Sequence, residues 1–207
     1  MSDFQFWQLS EEAGVFWLKI HRPDKKNAFN PQVVDELGKI LVDLGKNPAV
    51  QILVLTTTQD EMFCAGADIE WFYGLGEPDG AMASIVAQDV FDLMEKVPFP
   101  VIASIKGLNL TAGFELMLAC DMIIAADNAK FGQIETKYGL TPGGGGTQRL
   151  SRLVGPLKAR EMIYTAKIIS AEEALKIGLV NEVVPLADID NRIRQIRSEE
   201  RSCRERV

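Results

Sequence analysis

Three apolar runs, the continuous Ile52–Leu55, Val101–Ile105 with Ser104 as its one polar residue, and Met122–Ala126, do most to restrict what this chain can fold into. A strand wetted on one face alternates apolar and polar residues. A run that is apolar throughout is covered on both faces, as in a parallel sheet between layers. The segments between the runs read as helices. Asn30 can cap a helix that Pro31 opens, and Val33, Val34, Leu37, Ile40, Leu41 and Leu44 then share one helical face before Gly45 and Asn47-Pro48 end it. Val86, Val90, Leu93, Met94 and Val97 form a second such face, stopped by Pro98 and Pro100 and preceded by a loop at Gly74–Gly80. A third helix is expected from about Ala112 to Cys120. Ser170-Ala-Glu-Glu173 is a capping box, with Gly178 as a helix C-cap. Phe4–Leu9 and Val15–Ile20 read as two strands around a turn at Glu11–Gly14, and Val183-Val184-Pro185 as a short extended exit. Alternating strands and helices predict an α/β fold with a largely parallel sheet.

At 207 residues one domain is the default, expected over 1–190. Residues 191–207 are polar and Arg/Glu-rich, and read as a tail outside the domain rather than native domain structure. The net charge is −7 and no basic block occurs, which excludes duplex nucleic acid and an anionic membrane surface as main partners. No apolar run approaches the ~18 residues of a membrane span. The N-terminus lacks the basic flank and apolar core of a secretory signal. The cysteines, Cys64, Cys120 and Cys203, are odd in number and form no CxxC, as expected of reduced thiols in the cytoplasm. His21 is the sole histidine and has neither metal-ligand spacing nor a nucleophile partner; it is read as structural, and no metal is expected.

Chemistry is concentrated between Pro100 and Leu150. Glu115 stands in the apolar sequence FELMLAC near the start of the third helix, and Glu135 follows twenty residues later in FGQIETKYG. Taken singly, each has an ordinary reading: a carboxylate favoured by the first turn of a helix, and a surface acid. Taken together, they suit a shared water, with one carboxyl accepting a proton while the other donates one. Ala65-Gly66-Ala67-Asp68 follows a strand and leaves backbone N–H groups accessible. One of these and one at the start of the Ala112 helix can converge on a single oxygen, an oxyanion hole; a tight turn under the sheet explains the same residues. Gly143–Gly146 is not a phosphate loop, because neither GK[ST] nor GxGxxG follows the required pattern. A loop with unusual backbone angles, its donors turned to a ligand, fits better. Trp71, Phe72 and Tyr73 line either an acyl pocket or the core.

FCAGADI, PVIASIKG, FELMLACDMIIAA, AKFGQIE and TPGGGGTQRL, in this order and spacing, resemble the enoyl-CoA hydratase/isomerase (crotonase) superfamily over about Phe4 to Pro185. The resemblance implies a crotonase-like spiral of ββα turns, an acyl-CoA thioester substrate, no cofactor beyond the CoA of that substrate, and homotrimers or hexamers. The family's C-terminal helical segment, which supports assembly and closes the CoA site, is not matched, so the helical part is expected to be truncated. By motif position the oxyanion donors are the N–H groups of Ala67 and Ala112, the latter where glycine is usual. Hydratases of the family keep both glutamates, which favours hydration of a trans-2-enoyl-CoA in fatty acid β-oxidation. In that pattern Glu115 is the base toward water and Glu135 the α-proton donor, although a coupled pair can share both roles. Gly143 matches the glycine near the catalytic water, and Lys26, Ala28, Ala65, Asp68 and Ile69 fall where the family holds CoA. An isomerase using one glutamate, another acyl-CoA enzyme of the superfamily, and an inactive acyl-CoA-binding subunit remain alternatives.

Overall fold

The computed structural model describes the backbone of residues 4–204 and the side chains of all of these but 77 and 199–204. In chain order its elements are β1 (Trp7–Glu12), β2 (Val15–Ile20), α1 (Pro31–Gly45), β3 (Ile52–Thr57), β4 (Met62–Cys64), α2 (Ile69–Phe72), α3 (Glu77–Met94), β5 (Val101–Ile105), β6 (Leu108–Leu110), α4 (Thr111–Met117), β7 (Met122–Ala126), β8 (Lys130–Gly132), α5 (Gly146–Val154), α6 (Pro156–Thr165), β9 (Ile168–Ser170), α7 (Ala171–Lys176), β10 (Glu182–Val184) and α8 (Ile189–Arg204).

The three apolar runs are β3, β5 and β7, adjacent and parallel in a six-stranded sheet of order β1-β2-β3-β5-β7-β10. The pair β1-β2 is its one antiparallel joint. Side chains alternate across this sheet, which explains the apolar runs. Phe16, Leu18, Leu53, Leu55, Val101 and Ala103 face the main core with α1, whereas Val15, Trp17, Ile52, Val54, Ile102 and Ile124 face a second core. Each fully buried Val, Leu or Ile contributes about 1.5–3 kcal/mol relative to exposure, so both faces require a cover. For the second face that cover includes α8, whose Ile189 and Ile193 are buried there. The packed part of the chain thus runs past the boundary at 190 expected from sequence. Helix continues through Arg204, and 205–207 and the Cys203 side chain lie outside the described residues.

A second sheet, of order β4-β6-β8-β9, has three of its strands parallel. The chain repeats one unit three times: a strand in the large sheet, a three-residue strand in the small one, then helix. β3-β4-α2-α3, β5-β6-α4 and β7-β8-α5-α6 are those turns, and they wind the expected spiral. Local signals hold where side chains act locally. Asn30 caps α1 by accepting the Val33 N–H, and Ser170 caps α7 by accepting from Glu173. Several boundaries differ from the sequence reading: β1 starts at Trp7 rather than Phe4, and α4 ends at Met117 rather than near Cys120. β1 runs on to Glu12, because pairing with Val15 extends it, and α3 starts at Glu77 inside the expected Gly74–Gly80 loop, with Pro78 in its first turn. Among the described residues no helix is long and apolar enough to cross a membrane.

Candidate active site

The small sheet decides where the candidate residues meet. β4, β6 and β8 are neighbours, aligned with Cys64 opposite Asn109 and Leu110 opposite Gly132. Their carboxyl ends therefore open side by side, the place where parallel sheets bind ligands. Ala67 lies three residues past Cys64, Ala112 three past Asn109, and Glu135 three past Gly132.

The first two exits are locked together. Gly66 has φ +114°, and a β-carbon there would overlap the Thr111 hydroxyl, so only glycine lets the two segments touch. Thr111 is itself held at φ +46°, rare for a β-branched residue, and this turns β6 directly into α4. Phe29 pairs with Ala67 through the Gly66 carbonyl and the Asp68 N–H. In such a bridge the intervening Ala67 N–H points to the opposite edge. Ala112 stands in the first turn of α4, where N–H groups have no intrahelical acceptor, and Leu110 at the N-cap offers no side-chain bond. Two backbone donors thus flank the Gly66–Thr111 contact.

Glu115 projects from α4 and is 4% exposed. Its Oε1 accepts the N–H groups of Gly144 and Gly146, each at 2.8 Å. Burial, and then the charge of Glu135, push its pKa up to about 7, while these two donors and Arg149 pull the other way. Glu135 opens a short 3-10 turn after β8. Its Oε1 accepts from the Gln133 amide at 2.6 Å, and its buried Oε2 has no hydrogen-bond partner. Burial raises its pKa as well. The Gln133 carbonyl oxygen is likewise buried and unpartnered. A β-carbon on Gly146 would sit 2.9 Å from both Glu115 Oε1 and Gln133 Oε1, so Gly146 is the shared floor beneath Glu115 and Gln133, the residue that donates to Glu135. Such a pair, with unmet hydrogen-bonding capacity beside it, can hold a water and move protons at it.

The other residues singled out in the sequence separate. Lys26, Ala28 and Phe29 run beside Ala65–Asp68, since the Lys26 carbonyl accepts the Ala65 N–H at 3.0 Å. Lys26 is exposed, Ala28 buried, and Ile69 53% exposed. The Asp68 carboxylate is committed within the protein: it pairs with Arg22 at 2.7 Å and caps α2 by accepting from Glu70. Although burial opposes it, the Arg22 guanidinium holds the Asp68 carboxyl below its ordinary pKa. Gly143 does not bond Glu115; its carbonyl is turned to α3, accepting from Ser84 and Gln88. Gly144 and Gly146 belong to the loop whose donors the sequence reading turned to a ligand; in the structure their acceptor is Glu115. Gln133 and Arg149 were not singled out from sequence, and nothing in their local sequence marks their partners. His21 bonds Thr58, in keeping with a structural role. Cys64 and Cys120 are free thiols, pushed by burial to about 12 and further up, respectively. Among the described residues no group of His, Cys, Asp and Glu is arranged to hold a metal ion.

Comparison with known proteins shows which sequences and structures this chain is similar to. The enoyl-CoA hydratase/isomerase family model matches residues 10–201. The chain is 43% identical to crotonyl-CoA hydratase of Syntrophomonas wolfei, over 91% of its own length and 72% of the relative's. It is 40% identical to short-chain-enoyl-CoA hydratase of Clostridium acetobutylicum, with the same coverage of 91% and 72%. The crystal structure of enoyl-CoA hydratase from Bacillus anthracis superposes with a TM-score of 0.91 at 36% identity, covering 94% of this chain and 76% of that one.

Proposed function

The chain belongs to the enoyl-CoA hydratase/isomerase family, and from that premise we propose that it is a hydro-lyase adding water reversibly, in syn fashion, to a trans-2-enoyl-CoA to give a 3-hydroxyacyl-CoA. The observation that carries this reading is the pair of buried carboxyls: the charge of Glu135 acts on Glu115, and Gln133, which donates to Glu135, shares the surroundings of Gly146 with Glu115. The hydratase names of its relatives support it. Isomerisation needs one carboxyl at this place, and the second is the reason to prefer hydration.

In the proposed reaction the thioester oxygen lies on the Ala67 and Ala112 N–H groups, each such donor being worth about 2.7–4 kcal/mol as charge develops there. Glu115 takes a proton from water as the new C–O bond forms at the β-carbon. The π electrons of the double bond move toward the thioester oxygen. Glu135 then gives a proton to the α-carbon as the enolate-like state collapses. One proton leaves Glu135 and one reaches Glu115, so an exchange with water resets the pair. The two N–H bonds to Glu115 suit a carboxylate, and the unpartnered Glu135 Oε2 suits a carried proton. Hydration leaves the electron count of substrate plus water unchanged, so the proposal asks for no group beyond the CoA thioester. Ala28, Ala65, Lys26, Ile69 and the backbone at Asp68 and Gly143 are included as the CoA-side surface. Homotrimeric or hexameric assembly belongs to the same reading, supported by Leu153, Leu157 and Tyr164, exposed on consecutive helices.

The test is incubation of the purified protein with crotonyl-CoA while the conjugated enoyl absorbance is followed. Its loss, with formation of 3-hydroxybutyryl-CoA, is expected. Conversion of a 3-enoyl-CoA without hydration overturns the reading in favour of an isomerase, and binding of acyl-CoA without either reaction makes the chain a binding subunit.

A further inference from the structure

Helix α3 meets the glycine loop through a row of polar contacts that the proposed chemistry does not itself employ. Ser84 Oγ and the Gln88 amide both donate to the Gly143 carbonyl, at 2.8 and 2.6 Å. Farther along the helix, Asp92 and Glu95 receive Nη2 and Nε of Arg149. Nη1 of the same guanidinium donates to the Gly144 carbonyl at 2.9 Å. Residues 84, 88 and 92 of α3, and Glu95 at its C-cap, recur at helical spacing along one face.

The Gly143 carbonyl and the Gly144 N–H belong to one peptide group. A continuous chain of hydrogen bonds therefore runs from Ser84 and Gln88, through that peptide, to Glu115 Oε1. Chains of this kind polarise each bond by the next. Arg149 grips the following peptide, between the two N–H groups that Glu115 accepts. Arg149 is 8% exposed, and the three arms of its guanidinium tie α3, α5 and the loop together.

Resting on the hydratase reading, we propose that Ser84, Gln88 and Arg149 are positioning residues that hold the Gly144 and Gly146 N–H groups on Glu115 and so fix the attacking base. They touch the loop rather than the substrate. The charged groups facing Glu115 are Glu135 from the turn after β8 and Arg149 from α5, the latter partly neutralised by Asp92 and Glu95 of α3; Phe91 is the apolar neighbour from that helix. Loosening the donors, or removing the guanidinium, disfavours the ionised form of Glu115. The acidic limb of kcat then moves to higher pH.

The experiment compares the full chain with Ser84→Ala/Gln88→Met, Arg149→Met and Arg149→Lys. With crotonyl-CoA the first two are expected to lose about tenfold or more in kcat with KM little changed, and to shift the acidic limb upward, while Arg149→Lys recovers part of the loss. Variants with wild-type circular dichroism whose kcat and limb are unchanged overturn the proposal. Should Arg149→Met fail to fold, the double variant decides alone, because it leaves the Arg149 ion pairs intact. Should the wild type not hydrate crotonyl-CoA, the hydratase reading fails separately. NMR titration of the Glu115 carboxyl in wild type and double variant then decides the positioning role: an upward shift supports it and identical titration overturns it.

Discussion

Glu115 and Glu135 are the same residue type, the one on the helix after β6 and the other in the turn after the neighbouring β8, yet the protein surrounds them differently. Glu115 is almost fully buried and is pinned through one oxygen by two rigid backbone donors. Glu135 is less buried, is held by one side chain, Gln133, and keeps an oxygen without a partner. Backbone donors cannot rotate away, so they preorganise a carboxylate for a task that needs fixed direction, such as taking a proton from water. An unpartnered carboxyl oxygen suits the opposite task, carrying a proton that must leave. In the proposed reaction two equal residues thus take two roles from their environment; burial raises the pKa of both, and the charge of Glu135 raises that of Glu115 further.

The largest test of that difference is Glu115→Gln. It is expected to lower kcat toward the upper end of the roughly 10²- to 10⁴-fold range of general acid–base catalysis, followed as loss of enoyl absorbance; a near-normal rate removes Glu115 from the mechanism. Glu135→Gln should fall nearer the lower end of about the same range. It also removes the negative charge that helps to hold Glu115 at about 7. The acidic limb of its residual kcat should therefore move to lower pH, and an upward or absent shift breaks the proposed coupling. Gly146→Ala strikes both surroundings at once, because the new methyl presses on Glu115 Oε1 and Gln133 Oε1. About a tenfold loss in kcat is expected, and an unchanged rate would mean that the floor is not shared. The smallest effect is on stability. The folded pKa of Glu115 lies above its ordinary 4.5, at about 7, so the folded state holds the proton more tightly than the unfolded one. Stability contributed by the protonated group is complete below pH 4.5 and declines as pH rises toward 7. Urea denaturation across that window should show a flatter pH dependence for Glu115→Gln than for wild type.

Much of this was legible in the chain itself. Apolar runs without alternation gave strands covered on both faces, Asn30-Pro31 and Ser170–Glu173 gave helix starts, and the motif order gave the family. Local periodicity and capping carry such information because the groups involved lie within a few residues of one another. The small sheet was not legible: β4, β6 and β8 are three residues each, too short to display any period. The packing of the segment after residue 190 was not legible for a related reason. Its polar sequence hid Ile193, which becomes apolar cover only because the second face of the large sheet is there to receive it.

What the sequence determined by itself was the inventory: element types, two acids in apolar company, two small-residue strand exits and a glycine run. Tertiary structure decided the pairings. It set β4, β6 and β8 side by side so that the exits and acids meet, gave Asp68 to Arg22, turned Gly143 toward α3, and brought Gly144 and Gly146 rather than Gly143 onto Glu115. These choices rest on hydrogen bonds between residues twenty to sixty positions apart, and a donor in a glycine loop carries no mark of its acceptor until the fold places one beneath it.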